Sequence, residues 1–256
     1  MASRLEQFLD RTAGEAVEAF ARFCRGAPPS GATRTYAIGD IHGCADLLIA
    51  LLAAIRAAHP ADRRCRLIFL GDLVDRGPDS AKAAAMVHAL QAQAPAVECL
   101  RGNHEQMMID WLRAGDDLWL VNGGLGTIRS FGVEAGGEEA FTAAVAWMES
   151  LATWREDAKH IYVHAGLRPG RPYNRQSDQD RLWIREGFLD VEHDFGKHVV
   201  HGHTPRLGGP ERRRFRTNID TGAVYGGALT AAILDDESPA PIGFLRIPAS
   251  TISRSA

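Results

Sequence analysis

Apolar residues first recur along the chain at helical spacing. Leu5, Phe8, Leu9, Ala16, Val17, Phe20 and Phe23 fall on one face, so residues 3–24 read as an amphipathic helix or helix pair. Pro28, Pro29 and two glycines in "RGAPPSGATR" then interrupt the pattern as a linker would. From Thr33 the rhythm changes to that of strands. "TRTYAIGD", "CRLIFLGD" and "AVECLRGNH" are β-rich runs, each followed by a helical stretch: "CADLLIALLAAIRAAH", "DSAKAAAMVHALQAQ" and "EQMMIDWLRAG". Three strand–turn–helix units in succession predict βαβ connections in a layered sheet. Helical character returns in "EEAFTAAVAWMESL". Beyond it, "KHIYVHAG", "KHVVHGH", "FRTNIDTG", "GALTAAIL" and "IGFLRIP" predict closely spaced strands in a second, more antiparallel sheet facing the first. The expected fold class is α/β, a two-sheet β-sandwich flanked by helices in four layers, α-β-β-α. Residues 1–33 form a helical extension and linker in this reading, 34–250 the main domain, and 251–256 a tail.

Composition narrows the function. The chain has 256 residues, 45% hydrophobic and 24% charged, enough for one large core. A formal net charge of -3 offers no basic field for nucleic acid. Arg212, Arg213, Arg214 and Arg216 cluster on an expected edge strand and read as a solvated face. Cys24, Cys44, Cys65 and Cys99 form no CxxC pair, which points to free thiols and the cytoplasm. The N-terminal stretch lacks the apolar run of a secretory signal, and no segment reaches the roughly 18 apolar residues of a membrane span. Neither nucleic acid nor membrane is expected as a partner, and the sequence carries no signature of oligomeric state.

Chemistry concentrates where strands end. Three such ends carry "GDIHG" (Asp40, His42), "GDLVDRG" (Asp72, Asp75, Arg76) and "GNHE" (Asn103, His104, Glu105). Two later ones carry "VHAG" (His164) and "HGHTP" (His201, His203). In open α/β sheets the carboxyl edge is where sites are built. Asp, His and Asn donors without a thiolate suit divalent Mn, Fe or Zn. Any one fragment alone is ordinary turn chemistry. Five in order at one edge are not.

Together "GDLVDRG", "RGNHEQMMID", "WLVNGG", "GHTP" and "IDTGAVYGG" resemble the calcineurin-type metallophosphoesterases. Within them the likeness is to PPP-type serine/threonine protein phosphatases of the bacteriophage lambda phosphatase-like bacterial subgroup, over Thr35 to Leu234. The resemblance implies that residues 34–250 are a metallophosphoesterase catalytic domain binding two divalent metal ions, Mn2+ first among them, with Fe or Zn2+ as substitutes. Asp40, His42 and Asp72 would hold one ion, and Asp72, Asn103, His164 and His203 the other. Asp72 would bridge them, because two dications about 3.5–4 Å apart repel and need a shared anion. A water between the ions would attack phosphorus. His104 would protonate the leaving alkoxide, Asp75 would fix its tautomer, and Arg76 and Arg185 would clamp the phosphate. Glu105 reads as support for a helix N-terminus. His201 is a supporting neighbour, and His59, His88, His160, His193 and His198 are ordinary.

The implied activity is hydrolysis of phosphoserine and phosphothreonine, with phosphotyrosine also admitted, on a phosphoprotein substrate. A symmetrical diadenosine tetraphosphate hydrolase is the alternative. Those enzymes tend to replace the Asp of "VDRG" and to carry "GNHD", so Asp75 and Glu105 favour the protein phosphatase. A catalytically silent binding module is a third reading, opposed by the presence of all six expected ligands.

Overall fold

Alternation along the central strands sorts their side chains into two cores. In β1 (Thr33–Ile38) and β2 (Arg64–Phe69), Tyr36, Ile38, Leu67 and Phe69 face the helices, while Ala37 and Ile68 turn the other way. There, with Leu70 and Leu100, they meet Tyr162, Val200 and Ile219 of a second sheet. The structure, a computed structural model, describes residues 4–26 and 32–251. The linker expected around Pro28 and Pro29 and residues 252–256 of the expected tail lie outside the described residues.

The first sheet has the order β10-β9-β1-β2-β3, with β3 Val97–Cys99, β9 Ala228–Asp235 and β10 Gly243–Pro248. Strands β1, β2 and β3 are parallel, and β9 and β10 add to them antiparallel. The second sheet has the order β4-β5-β6-β8-β7. Its members are β4 Trp154–Glu156, β5 His160–Val163, β6 His198–His201, β7 Glu211–Arg212 and β8 Arg216–Asn218. The fold is α/β, with two mixed sheets flanked by helices.

Two details of the expectation change. "GALTAAIL" and "IGFLRIP" do not join the second sheet; they form β9 and β10 and extend the first. Strand β9 is buried along nearly its whole length, as a strand between two neighbours should be. The second sheet is also not mainly antiparallel: β5, β6 and β8 run parallel, with antiparallel strands only at its edges. Parallel pairing needs a long crossover, and residues 164–197 supply one through turns and a short helix rather than a periodic helix. This arrangement matters for the site. Three parallel strands in each sheet end at one edge, and those edges meet.

Helices α1 (Arg11–Arg25), α2 (Ala45–Ala58), α3 (Ser80–Gln93), α4 (Asn103–Ala114), α5 (Leu125–Phe131) and α6 (Glu138–Glu149) cover the outer side of the first sheet. The turns on either side of the short helix α7 (Asp178–Trp183) cover the second, through Leu167, Ile184 and Phe188. Residues 4–26 pack on the main domain. A single 3-10 turn at Glu6–Phe8 precedes α1, whose N-cap Asp10 accepts a hydrogen bond from Ala13 N at 2.8 Å. Val17, Phe20 and Ala21 on its inner face belong to the same core as α2 and α3. None of the described helices is long and apolar enough to cross a membrane.

Candidate active site

Backbone strain marks the site before any side-chain distance does. Among the described residues, five other than glycine have positive φ: His42 (46°), Asp72 (53°), Asp75 (73°), Arg76 (69°) and His203 (68°). A left-handed conformation outside glycine costs on the order of 1–3 kcal/mol and persists where surrounding structure enforces it. All five lie in the strand-end loops.

The loops are held by named bonds. Glu105, buried at the start of α4, accepts from Asp72 N (2.8 Å), Leu73 N (2.7 Å) and Gly102 N (2.8 Å). It therefore does more than support a helix end, because it ties the β2 loop to the β3 loop. Asp40 accepts from His203 N at 3.1–3.2 Å, which joins the two sheets. A Cβ on Gly202 would stand 2.1 Å from Asp40 Oδ1, so only glycine allows that approach.

Asp72 lies at the centre. Its Oδ2 is 3.5 Å from His42 Nε2 and its Oδ1 is 3.4 Å from His164 Nε2. His42 Nδ1 pairs with Val74 O (2.8 Å) and His164 Nδ1 with Leu70 O (3.0 Å). Those bonds assign the N–H to Nδ1 and leave each Nε2 lone pair facing the carboxylate. Asn103 Oδ1 is 2.8 Å from both His164 Nε2 and His203 Nδ1. Two groups thus have donor atoms close enough to hold an ion: His42, Asp72 and His104, and Asp72, His164 and His203. They share Asp72.

The donor set fits divalent cations. Burial and the charges of Asp220 and Asp72 hold Asp40 well above its usual range, and burial with Glu105 does the same to Asp72. Burial pushes Asp220 up to about 6. Three buried carboxylates repelling one another call for positive charge between them. His203 Nε2 and Asp220 Oδ2 are buried without a hydrogen-bond partner. Arg76 Nη1 sits 2.8 Å from His42 Nε2, a cation on the lone pair a metal would use.

Beside this centre stands a second device. His104 Nδ1 is 2.6 Å from Asp75 Oδ2, and both side chains are buried. Trp119 Nε1 donates to both Asp75 oxygens (3.0 and 2.9 Å), and Thr127 Oγ1 donates to Oδ1 (2.6 Å). Burial pushes Asp75 up to about 7, against the pull of Thr127 and Trp119, and burial with Arg76 and Arg185 holds His104 well below its ordinary value. Asp75 is thus held by His104 and fixed by two further donors.

Arg76 and Arg185 are exposed at the mouth. Arg76 lies over the Tyr225 ring, 5.9 Å from its centre. Arg185 follows α7 in a turn rather than standing on a helix, and its charge acts on His104, His164, His203 and Asp220. The ten residues given metal, acid or phosphate roles in the sequence converge here. His201 does not face the centre. Its ring, buried and held down to about 3 by burial and Arg216, packs edge-on against Phe188. Arg216 corrects the expectation of a solvated basic face: it is 5% exposed and bonded to Glu211 and Leu189 O, whereas Arg212 to Arg214 are exposed.

Asp220, Trp119, Thr127 and Tyr225 were missed. Asp220 carried the same signal as the others, an Asp just past a strand, inside "IDTGAVYGG". Trp119 opened the quoted "WLVNGG" but was given no role, and Thr127 carried no signal; both act through Asp75, from 44 and 52 residues away.

A profile of the calcineurin-like phosphoesterases matches residues 33–217. The chain belongs to that family. As a calcineurin-like phosphoesterase it is a hydrolase, and its family implies divalent metal ions. Serine/threonine-protein phosphatase 1 of Salmonella typhimurium is 34% identical over 207 residues, 77% of this chain and 90% of that protein. An asymmetrical bis(5'-nucleosyl)-tetraphosphatase PrpE of Anoxybacillus flavithermus is 30% identical over 222 residues, 76% of this chain and 87% of that protein. Among solved structures, a serine/threonine phosphatase from Saccharomyces cerevisiae with similarity to human phosphatase PP5 shares the fold. Its TM-score is 0.61 at 17% identity, covering 93% of this chain and 89% of that one.

Proposed function

We propose that this phosphoesterase hydrolyses phosphomonoesters on proteins, at serine and threonine first, with two divalent ions, Mn2+ in preference. Residues 34–250 are its catalytic domain, residues 1–33 an extension, and four free cysteines fit a cytoplasmic setting. Asp40, His42 and Asp72 would hold one ion, and Asp72, Asn103, His164 and His203 the other. Bound there, the ions supply an acidified water as nucleophile and Lewis acidity toward phosphate oxygens.

The chain's own residues do the rest. Arg76 and Arg185 bind and orient the phosphate oxygens with planar forks. Burial first, and then the two guanidinium charges, hold His104 down; the entering dianion offsets the charges, which favours a proton on both its ring nitrogens. Asp75 keeps Nδ1–H engaged, so Nε2–H is presented to the leaving oxygen. The bond from phosphorus to that oxygen breaks as the proton reaches it, and the new oxygen–phosphorus bond yields inorganic phosphate.

The buried His104–Asp75 pair, with Trp119 and Thr127 locking the carboxylate, is the observation that carries this reading. A serine alkoxide is a poor leaving group and needs a proton, whereas a nucleotide phosphate leaves readily without one. The second reading, a symmetrical diadenosine tetraphosphate hydrolase, draws support from the PrpE relatives for dinucleotide cleavage but not for its symmetry, since those relatives are asymmetrical. Turnover of a phosphoserine peptide and of diadenosine tetraphosphate by the Mn2+-supplied enzyme decides between them. Higher kcat/KM for the peptide is expected, and faster cleavage of the dinucleotide would reverse the order.

A further inference from the structure

Arg185 makes no side-chain hydrogen bond or ion pair of its own among the described residues, so the backbone beneath it must set where it points. That backbone is one tight turn. Phe188 N and Leu189 N both donate to Arg185 O, at 3.2 and 2.9 Å, and Gly187 supplies the left-handed residue. The turn has two anchors. Phe188 is a buried wedge: a Cβ on Gly166 would stand 2.3 Å from its ring, which rests edge-on against His201 at 5.0 Å. Gly166 is two residues beyond His164, and His201 two before His203.

Arg216 is the second anchor. From β8 its Nη2 donates to Leu189 O at 2.7 Å, its Nη1 donates to Glu211 Oε2 at 2.8 Å and faces His201 Nε2 at 3.4 Å. Its guanidinium lies over the Phe188 ring, 5.5 Å from the centre. A planar fork serves these directions together, and a lysine ammonium does not. Nothing in the phosphate chemistry itself requires a buried arginine at this distance from the mouth.

We propose that Arg216 is a positioning residue for phosphate binding. By bonding Leu189 O and stacking on Phe188, it fixes the 185–189 turn, and with it Arg185, against the loops that carry His164 and His203. The proposal rests on Arg185 being a phosphate clamp. It also gives His201 a task, as the neutral ring that closes the other side of the wedge.

A double-mutant cycle of Arg216→Met and Arg185→Ala tests it, with kcat/KM for a phosphoserine peptide and the Ki of inorganic phosphate as readouts. Arg216→Met is expected to lower kcat/KM about 10-fold, mainly through KM, and to cost less than about 2-fold once Arg185 is gone. The amides of 185–190 should also exchange faster in the metal-free Arg216→Met protein. An undiminished loss in the Arg185→Ala background, or unchanged exchange at 185–190, overturns the proposal. If Arg216→Met fails to fold, Phe188→Leu shrinks the other anchor and enters the same cycle. Should Arg185→Ala alone leave kcat/KM intact, the clamp reading is wrong and the proposal falls with it.

Discussion

Replacing Glu105 tests how the site is held without touching any residue expected to meet substrate. Its carboxylate takes three backbone N–H groups from two loops, and all three donors are buried with it. Bonds to a charged group contribute about 1.5–3 kcal/mol each; the lower figure applies because burial works against the ionised carboxyl, so Glu105→Ala should cost about 4–5 kcal/mol. That is a large share of the ~5–15 kcal/mol that holds a domain together. Glu105→Gln keeps the oxygen that serves Asp72 and Gly102 but turns a donor toward Leu73 N, so its cost should be about 1.5–3 kcal/mol. Urea unfolding of the metal-free protein, followed by tryptophan fluorescence, measures both. Because Asp72 sits at φ 53° on the tethered loop, Mn2+ affinity should fall in the same order. A Glu105→Ala protein within about 1 kcal/mol of the parent, or one destabilised with undiminished Mn2+ affinity, would refute the reasoning.

Three other outcomes are expected. Asp75→Asn should lower kcat on a phosphoserine peptide by about 10²–10⁴ and on p-nitrophenyl phosphate far less, since nitrophenolate leaves unprotonated; equal losses on both substrates would remove His104 from the acid role. Burial raises the Asp157 carboxyl, but His160, Tyr162 and Lys159 N outweigh it and hold the group below its usual range. A depressed carboxylate stabilises the fold above its unfolded pKa of about 3.9, so Asp157→Asn should be less stable at pH 7, with the gap to the parent closing as acid unfolding proceeds below about pH 4. A gap constant with pH would contradict that linkage. Phe20 is fully buried against the main core, so Phe20→Ala should cost about 3–5 kcal/mol in the same unfolding assay, and a loss under about 1 kcal/mol would make α1 a detachable arm.

The first half of the fold and its share of the site were legible because local signals agreed. Apolar runs ended in Gly-Asp or Gly-Asn, and helical periods followed, so β1 to β3 and the places of Asp40, Asp72 and Asn103 could be read directly. The second half hid its topology. The crossover between β5 and β6 has no periodic helix, and β9 gives no local sign that it travels back to pair with β1. Arg216 looked like a member of a solvated arginine run, because burial of one residue in four depends on Phe188 and Leu189, distant in sequence. His201 and His203 share a strand-end alternation that could not separate them. The positive φ of His203 does, by turning that ring inward while His201 stays against the sheet's outer packing.

The seam between the sheets makes the two candidate groups for an ion unequal. His42, Asp72 and His104 all hang from loops of the first sheet, so every donor of that group comes from one side of the seam. The other needs His164 and His203 from the opposite sheet, and it has no geometry until the sandwich has closed. A cation there would act as a rivet across the molecule. Its departure should loosen the closure of the whole protein, whereas the first ion could come and go with only local consequence.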